Sequence, residues 1–150
     1  MSTVYILIGL QGAGKSTYAK ELSEKTGAII VSSDEIRERK NGNRSITKDD
    51  RKVFKEMRLT IKDLILEGKD VIVDATNVTI KKRASFLSPE VSLDAKKIAI
   101  VFNKKVSTCV YQNFQRDVSK QVPKYAIYCL AKHFVYPTLD EGFDDIIEIV

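Results

Sequence analysis

Short runs of consecutive apolar residues alternate along this chain with longer stretches in which apolar positions recur every three or four residues. The runs are Val4–Gly9, Ala28–Val31, Val71–Asp74, Lys97–Phe102 and Ile146–Val150. They are near-continuously apolar rather than alternating, which predicts strands covered on both faces, as in a parallel sheet. The helical stretches begin with Tyr18 to Lys25. A longer helix follows, with Val53, Met57, Ile61 and Leu64 on one face. Thr47 and Asp50 form a capping box at its start, and Gly68 stops it. A later helix carries Val106, Cys109, Val110 and Phe114 on one stripe; Pro123 opens the next, where Ile127, Leu130, Ala131 and Phe134 repeat the period. The resulting order, βαβαβαβαβ, predicts a doubly wound α/β fold: a mainly parallel sheet of about five strands with helices on both faces.

Length and composition narrow this little further. The 150 residues, 43% of them hydrophobic, suit a single domain spanning 1–150 and exclude a disordered chain. No stretch approaches transmembrane length, and the apolar start is too short for a signal peptide, so no membrane partner is expected. Cys109 and Cys129 lack metal-ligand spacing and fall in helical segments; two buried free thiols, a reducing compartment and a cytoplasmic location are expected. His133, at the end of an apolar-spaced helix, reads as packed or capping. The net charge of +5 points toward an anionic partner.

The chemistry enters at Gly9-Leu10-Gln11-Gly12-Ala13-Gly14-Lys15-Ser16-Thr17. Two glycines five apart, followed by Lys and Ser between a strand and a helix, make the phosphate-binding loop pattern. Glycine lets backbone N–H groups converge on a phosphate, and the helix N-terminus adds the positive end of its dipole. Gly12, Ala13, Gly14, Lys15, Ser16 and Thr17 are therefore expected to bind ATP. Lys15 would reach the β- and γ-phosphates, and Ser16 would bind Mg²⁺.

Ligands of open parallel sheets bind beyond the carboxyl ends of the strands. The second strand runs into Ser32-Ser33-Asp34-Glu35-Ile36-Arg37, which places Asp34 at that edge. A kinase acting on a hydroxyl needs a carboxylate to orient it and accept its proton, the role expected of Asp34. Arg37, one turn later, points toward an anionic substrate group. Ser32 with Glu35 also reads as a capping box, an alternative account of this acidic first turn. The third strand ends in Asp74-Ala75-Thr76-Asn77. Asp74 is a candidate for the Mg²⁺ shell, and Thr76 and Asn77 for the substrate cleft, although Asn77 or Thr79 also suits the cap of the next helix. A phosphatase strand end needs a second Asp two residues after the first; Thr76 stands there.

Residues 37 to 58 are rich in Lys and Arg, as befits either a solvated helix face or a groove tracking a phosphate backbone. Asn113 to Pro123 reads as a small lid, in which Arg116 would stabilise charge on the transferring phosphoryl and Lys120 is the second cation.

Together these elements resemble the kinase module of polynucleotide 5′-hydroxyl kinases, the end-healing enzymes of nucleic-acid repair. The likeness covers nearly the whole chain. It rests on GLQGAGKST, Ser33-Asp34-x-x-Arg37, Asp74-x-Thr76-Asn77, Asn113-x-x-Arg116…Val122-Pro123 and the closing Pro137…Glu141-Gly142-Phe143-Asp144. It implies ATP as donor, Mg²⁺ as cofactor and 5′-OH ends of DNA or RNA as acceptor. The position matching Asp34 acts as general base on the 5′-OH. The position matching Arg37 grips the phosphate beside the accepting nucleoside, and that matching Arg116 contacts the donor phosphates. Lys120 departs from the arginine common near that position in look-alikes, which loses bidentate phosphate contact. A kinase of a sugar, nucleoside or other small hydroxyl compound is the alternative; a nucleotide-dependent switch that only hydrolyses ATP is a third.

Overall fold

The apolar runs form the strands β1 (Thr3–Ile8), β2 (Ile29–Ser32), β3 (Val71–Asp74), β4 (Lys96–Phe102) and β5 (Asp145–Ile149) of one sheet in the computed structural model, which describes residues 1–43 and 50–150. All pairings are parallel, in the order β2-β3-β1-β4-β5. Each strand lies within one residue of its expected range. The α1 helix (Lys15–Thr26) reaches back into the glycine loop. It is followed by α2 (Ser33–Asn41), α3 (Asp50–Leu66), α4 (Ile80–Leu87), α5 (Pro89–Ser92), α6 (Val106–Asn113) and α7 (Lys124–Lys132). The crossovers from β2 to β3 and from β3 to β4 thus contain two helices where the simple alternation expected one, while that from β4 to β5 contains the two expected of it. Punctuation inside each of the first two explains the split: Gly42 in left-handed conformation ends α2, and Pro89 opens α5. Pro123 sits just outside α7, as the last residue of the lid.

Successive strand residues point to opposite faces, and each face has its own core. Val4, Ile6 and Ile8 of β1 pack with Ala99 and Val101 of β4 beneath Val53, Met57 and Ile61 of α3 and Phe86 of α4. Leu7 of β1 packs with Ile98, Ile100 and Phe102 beneath Ala19 of α1, Cys109 of α6 and Ile127 of α7. The sheet is therefore doubly wound, as expected. The interior strand β3, between β2 and β1, is buried throughout, which its Val-Ile-Val run requires.

Three expectations are corrected. On α3 the buried ridge runs Val53, Met57, Ile61, Ile65 in steps of four, and Leu64 is only half-buried beside it. On α6 the buried pair is Cys109 and Asn113, while Phe114 follows the helix at 47% exposure. Asn113 replaces an apolar residue because its amide is satisfied: Nδ2 donates to the Val122 carbonyl at 2.8 Å and Oδ1 accepts from the Val122 N–H at 3.0 Å. Cys129 is exposed, not buried. It lies two positions from buried Ile127, roughly 200° around the helix. His133 is likewise exposed, at the C-cap of α7, so the capping position holds and the packed one does not. The capping box of Thr47 with Asp50 lies partly outside the described residues.

Burial raises the Cys109 thiol above its ordinary pKa, which suppresses its thiolate. In native protein one thiol, Cys129, is expected to react rapidly with an aromatic disulfide reagent, and the second only after denaturation. Two fast equivalents would contradict the packing of α6 on the sheet.

Candidate active site

The glycine loop crosses from β1 to α1 at the centre of the sheet. Gly12 (φ 83°) and Gly14 (φ 95°) both take the left-handed conformation that favours glycine. Gly12 meets a second demand: a Cβ there would collide with the Cys109 carbonyl and crowd the Asn113 amide, because α6 packs its backbone against the loop. The first turn of α1 contains no acidic residue, so its N–H groups and dipole face the cleft uncompensated by a side chain of that turn. The Lys15 ammonium donates to the Leu10 carbonyl at 2.8 Å. Burial lowers its pKa, and the nearby carboxylates of Asp74 and Asp34 work in the opposite sense. A lysine desolvated beside a phosphate cradle is primed for an anion, which would satisfy its charge better than one carbonyl does.

Asp74, at the end of β3, accepts a hydrogen bond from Ser16 Oγ at 3.1 Å. Burial raises its pKa, opposed by Lys15 and by the Ser16 hydrogen bond. A serine hydroxyl and a carboxylate oxygen in mutual contact form a hard-oxygen pair. That donor set suits Mg²⁺, which takes one or two protein oxygens and fills its octahedron with water and phosphate. Ser16 and Asp74 therefore fit the metal role expected of them.

On the other side of the cleft stands the start of α2. Ser32 caps it, its hydroxyl accepting from the Glu35 N–H at 3.3 Å. The Asp34 side chain is 45% exposed in the cleft. It lies close enough to Lys15 and Asp74 to influence the ionisation of both. Arg37 is buried: Nη1 donates to Asp34 Oδ1 at 2.9 Å, while Nε and Nη2 grip both oxygens of Asp50 at 2.6 and 3.0 Å. Phe54 of α3 underlies the guanidinium, 5.7 Å from its ring centroid. Sequence reasoning aimed Arg37 at a substrate anion; in this structure the chain's own carboxylates occupy that fork. The part played by Asp50 escaped the sequence reading because its partner lies across a long connection. Further out, Arg39 and Lys40 pair with Glu56, so part of the basic run between residues 37 and 58 is neutralised within the protein.

Thr76 and Asn77 follow β3 and line the same cleft. The Gly9 N–H donates to the Thr76 carbonyl at 3.0 Å, tying this turn to the glycine loop. Thr79, not Asn77, caps α4. Asn77 is buried and left-handed (φ 49°), and its Nδ2 donates to the Leu7 carbonyl at 2.9 Å. The lid begins where α6 ends. Arg116 is half-buried, its Nη2 donating to Asn113 Oδ1 at 2.6 Å, and it is near enough to depress the Lys15 pKa further. Lys120 ends the 3₁₀ turn Val118–Lys120 on the cleft wall. The cleft encloses about 990 Å³ and brings together every site residue the sequence analysis singled out. Its lining includes apolar Phe102, Ile149, Val122, Pro123 and Ala126 with exposed Tyr125, which come from four separate segments and leave no joint signal in the sequence.

Sheet order, loop and cleft define a P-loop kinase fold. The chain belongs to the AAA_33 family, described as an AAA domain, whose model matches residues 4–134. No curated protein matches it. Among solved structures it is similar to a chain of the Pnkp1/Rnl/Hen1 RNA repair complex, with a TM-score of 0.78 and 23% identity over 88% of this chain; it spans 43% of that chain's length. A gluconokinase from Sinorhizobium meliloti 1021 is similar at TM-score 0.64 and 16% identity, over 99% of this chain and 81% of the other. A deoxyadenosine kinase from M. mycoides is similar at TM-score 0.58 and 18% identity, over 99% and 90%.

Proposed function

We propose that this chain is an ATP-dependent polynucleotide kinase, transferring the γ-phosphoryl group to the 5′-hydroxyl of DNA or RNA. The observation that carries this reading is the exposed Asp34 carboxylate in the cleft of the phosphate-loop lysine. A triphosphate donor lies along the loop from Gly12 to Thr17, with the apolar residues of the cleft wall available to its base. Ser16 and Asp74 would hold Mg²⁺, which when bound would supply neutralisation of the phosphate charge. Asp34 accepts the acceptor's hydroxyl proton as its oxygen bonds to the γ-phosphorus and the bond to the β–γ bridging oxygen breaks, releasing ADP. Lys15 and Arg116 stabilise charge on the transferring group, with Lys120 as a further cation, while Thr76 and Asn77 position the acceptor and Arg37 does so through Asp34, which it holds. The likeness to a chain of an RNA repair complex supports the nucleic-acid acceptor.

A small hydroxyl acceptor is the second reading, favoured by the gluconokinase likeness, which extends over 99% of this chain. Labelled ATP offered with 5′-OH DNA and RNA oligomers, and with a panel of sugars and nucleosides, separates them. Label is expected on oligomer 5′ ends, with an apparent affinity that falls steeply with added salt. Label on a metabolite alone would assign the second reading.

A further inference from the structure

The turn after β3 is locked from outside the cleft by an ion pair that the reaction does not use. Arg83 of α4 is wholly buried, and Glu141, in the closing 3₁₀ turn Leu139–Glu141, is nearly so. Nε and Nη2 of Arg83 donate to the two Glu141 oxygens at 2.8 and 2.9 Å. Glu141 Oε2 also accepts from the Thr138 N–H at 2.9 Å, the capping box of that turn. The remaining nitrogen, Nη1, donates to the Asn77 carbonyl at 3.0 Å and the Val135 carbonyl at 2.8 Å. The Val135 N–H in turn donates to the Val78 carbonyl at 2.8 Å.

Apolar residues of similar volume would fill this core at least as stably as a buried ion pair. What apolar residues lack is a planar donor that ties the carbonyl of Asn77 to two distant segments. Asn77 has a backbone that non-glycine residues adopt only when their surroundings impose it. Its Oδ1 is buried with no hydrogen-bond partner among the described residues.

We infer that Arg83, itself fixed by Glu141, is a positioning residue for the acceptor half of the site, acting through Asn77. This rests on the kinase reading above. The test is Arg83→Met/Glu141→Leu, which removes both charges together, so that neither is left buried alone. The melting temperature is expected to stay within about 4 °C of wild type. ATP KM is expected to change less than about twofold, while kcat falls about 30-fold or more. Deuterium exchange of residues 75–79 should speed up about tenfold, with the α3 amides unchanged. With Asn77→Ala already present, removing the pair should cost less than about twofold more, whereas a merely structural role would multiply the two losses. Arg83→Lys, which keeps a charge opposite Glu141 but gives up the fork, carries the same test if the double variant does not fold. Unchanged kcat and exchange in a folded variant would overturn the inference. Wild-type protein inactive on every acceptor would overturn the kinase reading instead, and the exchange measurement would still decide the role of Arg83.

Discussion

Replacing Asp34 by asparagine is expected to lower kcat for phosphoryl transfer by about 10³-fold while ATP affinity stays within about threefold. The substitution keeps size and shape and removes only the charge and the proton acceptor. On the proposed reading ATP is held by the loop amides, Lys15 and the start of α1, and Asp34 belongs to none of these. Arg37 loses one carboxylate partner and keeps the bidentate grip of Asp50, so α2 stays in place. Steady-state kinetics on the best acceptor, paired with calorimetric titration of ATP, separates the two effects. A variant that turns over normally would remove Asp34 from the chemistry. One that fails to bind ATP would move its role to the donor side.

The second large effect is structural. Gly12→Ala is expected to destabilise the protein by about 3 kcal/mol and to weaken ATP binding at least about 100-fold. Two costs coincide at that position: a left-handed backbone, and a Cβ driven into the Cys109 carbonyl where α6 abuts the loop. Gly14→Ala supplies the contrast. Its backbone is also left-handed, at φ 95°, but nothing lies within 4 Å of the added carbon. It is expected to cost only about 1–2 kcal/mol, from backbone strain alone. Thermal unfolding of both variants, with and without ATP, checks the ordering. Equal losses would mean that α6 does not press on the loop.

Much of this architecture was legible in the chain because the signals were local. The Val-Tyr-Ile-Leu-Ile run before GLQGAGKST contains a strand, a turn and a helix start in consecutive residues, and the other strands announced themselves the same way. Asp34 and Asp74 could be placed because each stands at or within two residues of a strand's C-terminal end, and parallel strands deliver those ends to one edge. What stayed hidden depends on partners far apart in sequence. The Arg37–Asp50 fork bridges two helices, the Arg83–Glu141 pair joins residues 58 positions apart, and the apolar residues of the cleft wall come from β4, the lid, α7 and β5. Hydrophobic periodicity also misleads where a polar side chain is satisfied internally. Asn113 took the buried position that periodicity offered to Phe114, because its amide closes the lid onto Val122. The exposed Cys129 shows the converse: an apolar-scored residue falling on the wrong side of a helix whose buried stripe is narrow.

In the proposed reaction one cleft seats a triphosphate and an alcohol with Asp34 between them. Isotope trapping decides this: protein preloaded with γ-labelled ATP is chased with unlabelled ATP together with a 5′-OH oligomer. Label is expected on the oligomer within the first turnover for wild type, and to remain in ATP for Asp34→Asn. Label appearing as inorganic phosphate at a rate indifferent to the oligomer, or to any other hydroxyl acceptor supplied in the chase, would contradict it.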